Sequence, residues 1–158
     1  MSEKKRITFS INGQQREFEI AIDEKLVDLL RRSGLKSVKY GCGEATCGAC
    51  TVIMDGKAVY SCILYAVQAQ GRDIRTVEGI GDFNKPHALQ QALSDEGAVQ
   101  CGFCVPGMIM SAKAMLDANP EPDDEEIKEK MDGNLCRCTG YEKILTALHK
   151  VIGSGGGV

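Results

Sequence analysis

Eight cysteines stand in this chain of 158 residues, in two sets of four, and they constrain the fold more than any other feature. No apolar stretch follows the N-terminus as it does in a signal peptide, and none is long enough to cross a bilayer. We therefore predict a cytoplasmic protein without membrane contact, in a compartment that keeps thiols reduced. Cysteines in such a compartment bind metals more often than they form disulfides, so each set predicts a metal centre.

The charge pattern excludes one broad class of function. Nineteen Lys and Arg residues against 22 Asp and Glu residues give a net charge of −3, without a long run of one sign. A nucleic-acid-binding protein needs clustered basic side chains for the phosphate backbone, so no nucleic-acid partner is predicted. The hydrophobic content of 43% is ordinary for a globular chain and allows packed cores.

The first half of the chain carries strand patterns. Polar and apolar residues alternate over 6–11 and 16–20, on either side of the turn signal Asn12-Gly13, which predicts a β-hairpin. A second hairpin is predicted around Asp55-Gly56, and one more short strand is predicted over 73–77. The first half is therefore predicted to contain a small sheet.

Helical patterns complete the sequence. In the first half, Asp23 is the predicted N-cap of one helix. The second half has no comparable strand pattern, and its predicted helices lie at about 86–95, 104–118, 123–132 and 140–152. Asp123 with Glu126, and Thr139 with Glu142, have the spacing of capping boxes.

The change of pattern falls at residues 79–82, a glycine-rich stretch. We predict one domain over 1–80, a second over 81–153, and a flexible glycine-rich tail over 154–158. Each predicted domain is so small that a single hydrophobic core gives marginal stability. A metal centre in each half would stabilise it, since metal binding and folding are coupled.

The first set of cysteines has a diagnostic spacing. Its members are separated as C-x4-C-x2-C, with the fourth after the second hairpin: Cys42, Cys47, Cys50 and Cys62. This is the spacing of plant-type ferredoxins, which hold a [2Fe–2S] cluster. The neighbouring glycines allow close backbone approach to a cluster. Zinc sites more often use paired C-x2-C knuckles, so iron–sulfur is the favoured prediction.

The second set is more ambiguous on spacing alone. It consists of a C-x2-C pair and a C-x-C pair: Cys101, Cys104, Cys136 and Cys138. Two short pairs at this separation suit a four-cysteine zinc site as well as an iron–sulfur cluster. Both pairs precede predicted helices, whose positive N-terminal ends favour thiolates. His87 and His149 lie away from the cysteine pairs and are predicted to be surface or helix-face residues.

Three motifs together identify a family resemblance. Residues 41–52 (GCGEATCGACTV), 100–108 (QCGFCVPGM) and 133–141 (GNLCRCTGY) closely resemble the xanthine oxidase family. More narrowly, the chain is similar to the separate small iron–sulfur subunit of bacterial molybdenum hydroxylases, over about residues 6–152. Departures are Ala45, where many relatives have Gly, and Val105, where relatives usually have Thr. The first suggests a slightly altered loop backbone, and the second a lost hydroxyl near the second cluster.

The resemblance implies an α+β architecture: an N-terminal β-grasp, plant-ferredoxin-like domain followed by a C-terminal four-helix bundle. It implies one [2Fe–2S] cluster in each domain. It also implies a large partner subunit with a molybdenum–pterin cofactor and a medium partner subunit with FAD, assembled as a dimer of heterotrimers. Gln100 and Cys138 are expected to contact the pterin.

The function implied is electron transfer within an oxidoreductase. Electrons would pass from molybdenum through both clusters to FAD, while a partner subunit hydroxylates the substrate. A purine or other N-heterocycle is the favoured substrate, with an aldehyde or carbon monoxide as alternatives. This chain itself has no predicted catalytic residue. Two other functions stay open at this point: a stand-alone ferredoxin-like carrier, and a zinc-stabilised interaction module.

Overall fold

The computed structural model describes residues 4–155, which form five strands and five α-helices. The strands are β1 (Lys4–Ile11), β2 (Gln14–Ala21), β3 (Thr51–Met54), β4 (Lys57–Tyr60) and β5 (Asp73–Arg75). The helices are α1 (Leu26–Arg32), α2 (Ala88–Asp95), α3 (Val105–Ala118), α4 (Asp124–Met131) and α5 (Glu142–Gly153). The predicted class, a mixed sheet followed by a helical half, is confirmed.

The sheet has the order β2-β1-β5-β3-β4, with β5 parallel to β1 and the other neighbours antiparallel. Both predicted hairpins are present. Asn12 and Gly13 turn with φ of 51° and 78°, and Asp55 and Gly56 with φ of 49° and 81°. These positive φ angles belong to the tight turns that Asn-Gly and Asp-Gly favour. The second hairpin matters most for function, since it lies between Cys50 and Cys62.

Helix α1 packs on the sheet and completes the first core, which includes Phe9, Leu26 and Ile74. The predicted N-cap Asp23 is wrong, because the helix begins at Leu26 after Lys25, whose side chain makes no capping hydrogen bond. The first helical N–H groups are satisfied from elsewhere in the chain. The backbone N–H of Leu26 donates to the carbonyl of Leu64 at 2.8 Å.

The second half contains the four predicted helices. Half of the predicted capping box of α4 is present: the carboxylate of Asp123 accepts a hydrogen bond from the N–H of Glu126 at 2.8 Å, whereas the carboxylate of Glu126 accepts from Nδ2 of Asn119. The core lies mainly along α3 and includes Met108, Met115 and Leu148. None of the helices within residues 4–155 has the length and apolar character to cross a bilayer. Of the predicted tail, residues 156–158 lie outside the described residues.

The two cores meet at strand β3. Val52 faces the first core, whereas its neighbour Ile53 is buried in the second core. Successive side chains of a strand point to opposite faces, so a single strand is covered by both halves. Helix α3 packs against β3. Since β3 follows Cys50 directly and α3 follows Cys104 directly, this contact places the two sets of cysteines close together.

Candidate metal centres

The first three cysteines lie on one loop that precedes β3. Backbone N–H groups of this loop point at sulfur: those of Glu44 and Thr46 donate to Cys42 Sγ at 3.4 and 3.3 Å. The N–H of Cys42 in turn donates to Cys47 Sγ at 3.4 Å. Donors of this kind stabilise negative charge on thiolate sulfur. The loop is therefore built to surround anionic sulfur with backbone dipoles.

Cys50 and Cys62 are brought together by the β3–β4 hairpin, as predicted. Both residues are buried, and they lie close enough for the Cys62 side chain to affect the pKa of the Cys50 thiol. The neighbouring Ser61 donates from its hydroxyl to the carbonyl of Cys50 at 2.7 Å and fixes the two ends of the hairpin. The first set thus forms two sulfur pairs, one of Cys42 with Cys47 and one of Cys50 with Cys62.

The thiols of the first set differ in acidity. The backbone N–H of Glu44 is the main cause that lowers the pKa of the Cys42 thiol to about 7. Burial raises the pKa of the Cys50 thiol to about 11. Metal ligation requires the thiolate, so cluster binding at this site must release the proton of Cys50, whereas Cys42 ionises near neutral pH.

Glycine is needed on this loop for reasons of space. A Cβ atom at Gly41 would lie 2.7 Å from Cys47 Sγ, and one at Gly48 would lie 2.2 Å from the carbonyl oxygen of Gly133. Gly48 also has φ of 68°. Ala45 has φ of 63°, in the left-handed region that favours glycine, so this departure from the family pattern places strain in the loop.

The second set of cysteines comes together across its two motifs. The sulfur atoms of Cys101 and Cys138 are 3.7 Å apart. Cys104 and Cys136 lie close enough for the Cys136 side chain to affect the pKa of the Cys104 thiol. Each pair therefore takes one member from C-x2-C and one from C-x-C, although some 30 residues separate the motifs in the sequence. The fold, and not local spacing, creates this site.

The two motifs of the second set differ in their relation to helices. Cys104 is the N-cap residue of α3, as predicted for the first pair. The prediction for Cys136 and Cys138 is wrong, because α5 begins only at Glu142 and these cysteines lie in the preceding loop. The predicted capping box of Thr139 is also absent, since Tyr141 occupies the N-cap position.

In the C-x-C pair, hydrogen-bond donors from a side chain and the backbone, and not the N-terminus of a helix, lower the pKa of a thiol. Burial would raise the pKa of Cys136, but the Thr139 hydroxyl and nearby N–H groups outweigh it and lower the pKa to about 7. Burial raises the pKa of Cys104 to about 12. The contact with Cys101 raises the pKa of Cys138. Each set thus contains one thiol with a pKa lowered to about 7, Cys42 or Cys136, and one with a pKa raised by burial, Cys50 or Cys104.

The loops that carry the two sets touch. The carbonyl of Cys47 accepts a hydrogen bond from the N–H of Leu135 at 2.9 Å. The buried Asn134 donates from Nδ2 to the carbonyl of Gly48 at 3.0 Å and accepts from the hydroxyl of Ser111 at 2.6 Å. Because a buried amide group must be hydrogen-bonded, Asn134 fixes the spacing of the two loops.

Tyr60 provides a second link between the halves. Its hydroxyl donates to the carbonyl of Gly133 at 3.2 Å. Burial, together with the charges of Cys50 and Cys47, raises the pKa of Tyr60. The phenol therefore stays protonated and remains a donor at neutral pH.

The predicted pterin-contacting residues lie at the surface. Gln100 and Cys138 are both exposed, and Gln100 donates from Nε2 to the carbonyl of Cys138 at 3.1 Å. Cys101 beside them is exposed as well, in contrast to the buried Cys104. One edge of the second set therefore opens to the outside. Large apolar side chains surround the motifs at the surface, namely Val99, Phe103 and Leu135.

The sulfur atoms are arranged in pairs and not around a single point. Within residues 4–155, no group of three or more Cys, His, Asp or Glu side chains is placed to hold one metal ion. The histidines lie elsewhere, as predicted: His87 is the N-cap residue of α2 and His149 lies on α5.

Comparison with known proteins identifies the family. Residues 9–75 match the family described as 2Fe-2S iron-sulfur cluster binding domain, and residues 76–149 match the [2Fe-2S] binding domain. The small FeS subunit of nicotinate dehydrogenase from Eubacterium barkeri is 51% identical, over 92% of this chain and 94% of its own length. The chain belongs to the small iron–sulfur subunits of the molybdenum hydroxylase family. The match of residues 76–149 favours iron–sulfur over zinc for the second set.

Two further relatives support this assignment of the subunit. The iron-sulfur-binding subunit of xanthine dehydrogenase from Escherichia coli O157:H7 is 46% identical, over 93% of this chain and 94% of its own length. The crystal structure of quinoline 2-oxidoreductase from Pseudomonas putida 86 contains a chain with a TM-score of 0.89 and 42% identity. The alignment covers 98% of this subunit and 99% of that chain.

The structure adds residues to the site that the cysteine motifs did not indicate. Asn134 and Tyr60 join the two halves, Ser111 holds the amide of Asn134, and Thr139 and Tyr141 contact Cys136. Asn134, Thr139 and Tyr141 stand beside the C-x-C pair in the sequence, which was the available signal. Tyr60 on β4 and Ser111 on α3 follow no spacing rule relative to the cysteines, and only the fold reveals that they reach Gly133 and Asn134.

Proposed function

We propose that this subunit carries electrons through two [2Fe–2S] clusters, from a molybdenum–pterin centre on a large partner subunit to FAD on a medium partner subunit. The observation that carries the proposal is the pairing of sulfurs. Each set of four cysteines forms two pairs, and in the second set each pair joins the two distant motifs. A [2Fe–2S] cluster takes four thiolates, two on each iron.

The proposed ligands are the eight cysteines. Those of the first cluster are Cys42, Cys47, Cys50 and Cys62, and those of the second are Cys101, Cys104, Cys136 and Cys138. The fit is supported by the N–H groups that point at Cys42 and Cys47, and by Gly41, where a side chain would meet sulfur. When bound, each cluster supplies a one-electron redox centre. The protein supplies the thiolates and the donors that tune the potential.

The contact between the loops supports a short route between the two centres. A path of covalent bonds and one hydrogen bond connects Cys47 with Cys136. The hydrogen bond is the one that the N–H of Leu135 donates to the carbonyl of Cys47. Asn134 holds both loops at this point by its bonds to Gly48 and Ser111. Its role in this proposal is to keep the separation of the centres constant.

The exposed edge of the second set supports contact with the pterin. We propose that Gln100 and Cys138, which are joined by a hydrogen bond, face the pterin of the large subunit. The exposed apolar residues Val99, Phe103 and Leu135 would then be covered by that subunit. Exposed apolar side chains beside a functional site favour a permanent partner over a freely diffusing carrier. We propose a dimer of heterotrimers as the full assembly.

Substrate class, location and domain division complete the proposal. The relatives named above act on nicotinate, xanthine and quinoline according to their names, so we propose oxidative hydroxylation of an N-heterocycle by the complex. We also propose a cytoplasmic location, because cluster ligation requires a compartment that keeps the eight thiols reduced. The division into domains 1–80 and 81–153 is supported by the two separate hydrophobic cores.

Metal analysis of the purified native complex tests this proposal. We expect about four irons and no zinc for each copy of this subunit, two irons for each cluster. We also expect co-purification with a molybdenum-containing and a flavin-containing subunit. A folded subunit that contains zinc would contradict the cluster assignment. An iron-loaded subunit that purifies alone from native cells would support the stand-alone carrier instead.

A further inference from the structure

The loop of residues 136–141 folds back on the cysteine at its start. The hydroxyl of Thr139 donates to Cys136 Sγ at 3.2 Å. The backbone N–H of Tyr141 donates to Thr139 Oγ1 at 3.3 Å, and the phenolic oxygen of Tyr141 accepts from the backbone N–H of Cys136 at 2.8 Å. Three hydrogen bonds therefore join three half-buried residues into a closed network around one sulfur.

The network determines where the Thr139 proton points. A hydroxyl has one proton to donate and two lone pairs that accept. Because the N–H of Tyr141 is directed at Thr139 Oγ1, the oxygen acts as acceptor on that side, and its own proton is directed to Cys136 Sγ. Tyr141 thereby fixes the hydroxyl in the donating orientation.

The backbone of Tyr141 adopts an energetically unfavourable conformation in this network. Tyr141 has φ of 68° and ψ of −25°, in the left-handed region that side chains other than glycine seldom adopt. Such a conformation persists where surrounding contacts require it, and it is concentrated at functional sites. Here it directs both the N–H and the phenol of one residue back toward the cysteine loop.

We propose that Thr139 is a positioning residue that raises the reduction potential of the second cluster through its hydrogen bond to Cys136, and that Tyr141 holds it in place. The inference rests on the proposed function. One-electron reduction adds negative charge that is shared with the ligand sulfurs, so a donor to sulfur stabilises the reduced form more than the oxidised form. Of the hydroxyl groups within residues 4–155, that of Thr139 is the one that donates to sulfur of the second set.

Redox titration of the cluster-loaded full chain, followed by electron paramagnetic resonance, tests the proposal. In Thr139→Val we expect the ratio of reduced to oxidised second cluster at a fixed potential to fall about tenfold, which for one electron corresponds to about 59 mV. The first cluster should titrate as in the wild type and serves as the internal reference. Thr139→Ser, which keeps the hydroxyl, should restore the wild-type midpoint.

Two further variants keep the test decisive. Thr139→Ala removes the hydroxyl without placing a methyl group beside sulfur, so it should show the same shift if the valine variant loses its cluster. Tyr141→Phe removes the phenol but keeps the N–H to Thr139, so it should shift the midpoint less than Thr139→Val.

The outcomes separate this inference from the proposed function. A loaded second cluster with an unchanged midpoint in the valine or alanine variant would overturn the inference alone. Loss of the second cluster from both variants, with the serine variant fully loaded, would also overturn it, because the hydroxyl would then be required for assembly and not for tuning. Absence of a second cluster from the wild type would overturn the proposed function itself.

Discussion

The carbonyl oxygen of Cys47 accepts a hydrogen bond from the backbone N–H of Leu135, with 2.9 Å between the two atoms. Cys47 is a proposed ligand of the first cluster, and Leu135 directly precedes Cys136, a proposed ligand of the second. The two centres are thus joined at the level of the backbone. Any change that separates these loops should alter both the stability of the chain and the transfer of electrons through it.

Removing the amide that holds the loops should destabilise the chain. Asn134→Ala leaves the hydroxyl of Ser111 without its buried partner, at a cost of about 1–3 kcal/mol, and removes one of the three hydrogen bonds that the carbonyl of Gly48 accepts. Denaturant unfolding measures this loss. The exposed Asn84 is the matched control, and Asn84→Ala should unfold as the wild type does. Equal unfolding of the two variants would show that Asn134 does not join the halves.

Electron transfer between the centres should also depend on Asn134. In Asn134→Ala the loops can move apart, so we expect slower transfer from the second cluster to the first while both clusters remain present. Rapid-mixing kinetics on the complex, with iron content measured on the same sample, checks this expectation. Transfer at the wild-type rate in a variant of lowered stability would restrict the role of Asn134 to folding.

Alanine should destabilise the chain far more at Gly48, which is closely packed between the cysteine loops, than at Gly56, which has a similar backbone conformation. Gly48 and Gly56 have φ of 68° and 81°, so alanine at either position costs about 1–2 kcal/mol for the left-handed backbone. At Gly48 the added Cβ would also lie 2.2 Å from the carbonyl oxygen of Gly133, whereas at Gly56 it meets nothing within 4 Å. Gly48→Ala should therefore lower the free energy of unfolding much more than Gly56→Ala, as measured in urea. Similar losses would contradict the described contact.

Replacing Ala45, which has a strained backbone in the first cysteine loop, with glycine should stabilise the chain. Ala45→Gly relieves a positive φ of 63°, and after the greater entropy of an unfolded glycine is subtracted we expect a gain of about 0.5–1 kcal/mol. The same substitution at Ala58, within strand β4, should reduce stability instead. Urea unfolding of the two variants provides the comparison. A loss of stability in Ala45→Gly would show that the methyl group makes a contact that outweighs the strain.

Reciprocal cysteine variants should separate the two clusters. Cys47→Ser should damage the first cluster, remove about two of the four expected irons, and block transfer to flavin. The molybdenum centre should still react once with substrate, since the second cluster is retained. Cys101→Ser should have the reverse effect on the two cluster signals. Flavin reduction at the wild-type rate in Cys47→Ser, observed in a single turnover, would contradict the proposed order of transfer.

Local signals in the sequence were enough to predict most of the fold. Asn12-Gly13 and Asp55-Gly56 turn with the positive φ angles that these pairs favour. Asp123 caps α4 because its carboxylate lies next to the N–H groups that it satisfies. In each case the residues that interact are close in the sequence, and this proximity is why composition and spacing predict them.

Two helix starts were predicted wrongly because the groups that a cap would join have other hydrogen-bond partners. Asp23 does not cap α1, since the loop around Leu64 accepts the first N–H group of the helix instead. Thr139 does not cap α5, since its hydroxyl donates to Cys136 Sγ. The pairing of Cys101 with Cys138, and of Cys104 with Cys136, likewise depends on packing between helices and could not be derived from spacing.

Spin quantitation of the fully reduced native complex measures most directly whether this subunit contains two centres. Each reduced [2Fe–2S] cluster carries one unpaired electron, so we expect two distinct paramagnetic signals that integrate to about two spins per chain. Cys47→Ser should remove one of the two signals. A single signal of about one spin per chain, in a complex with a full complement of iron and a fully reduced sample, would contradict a relay between the halves.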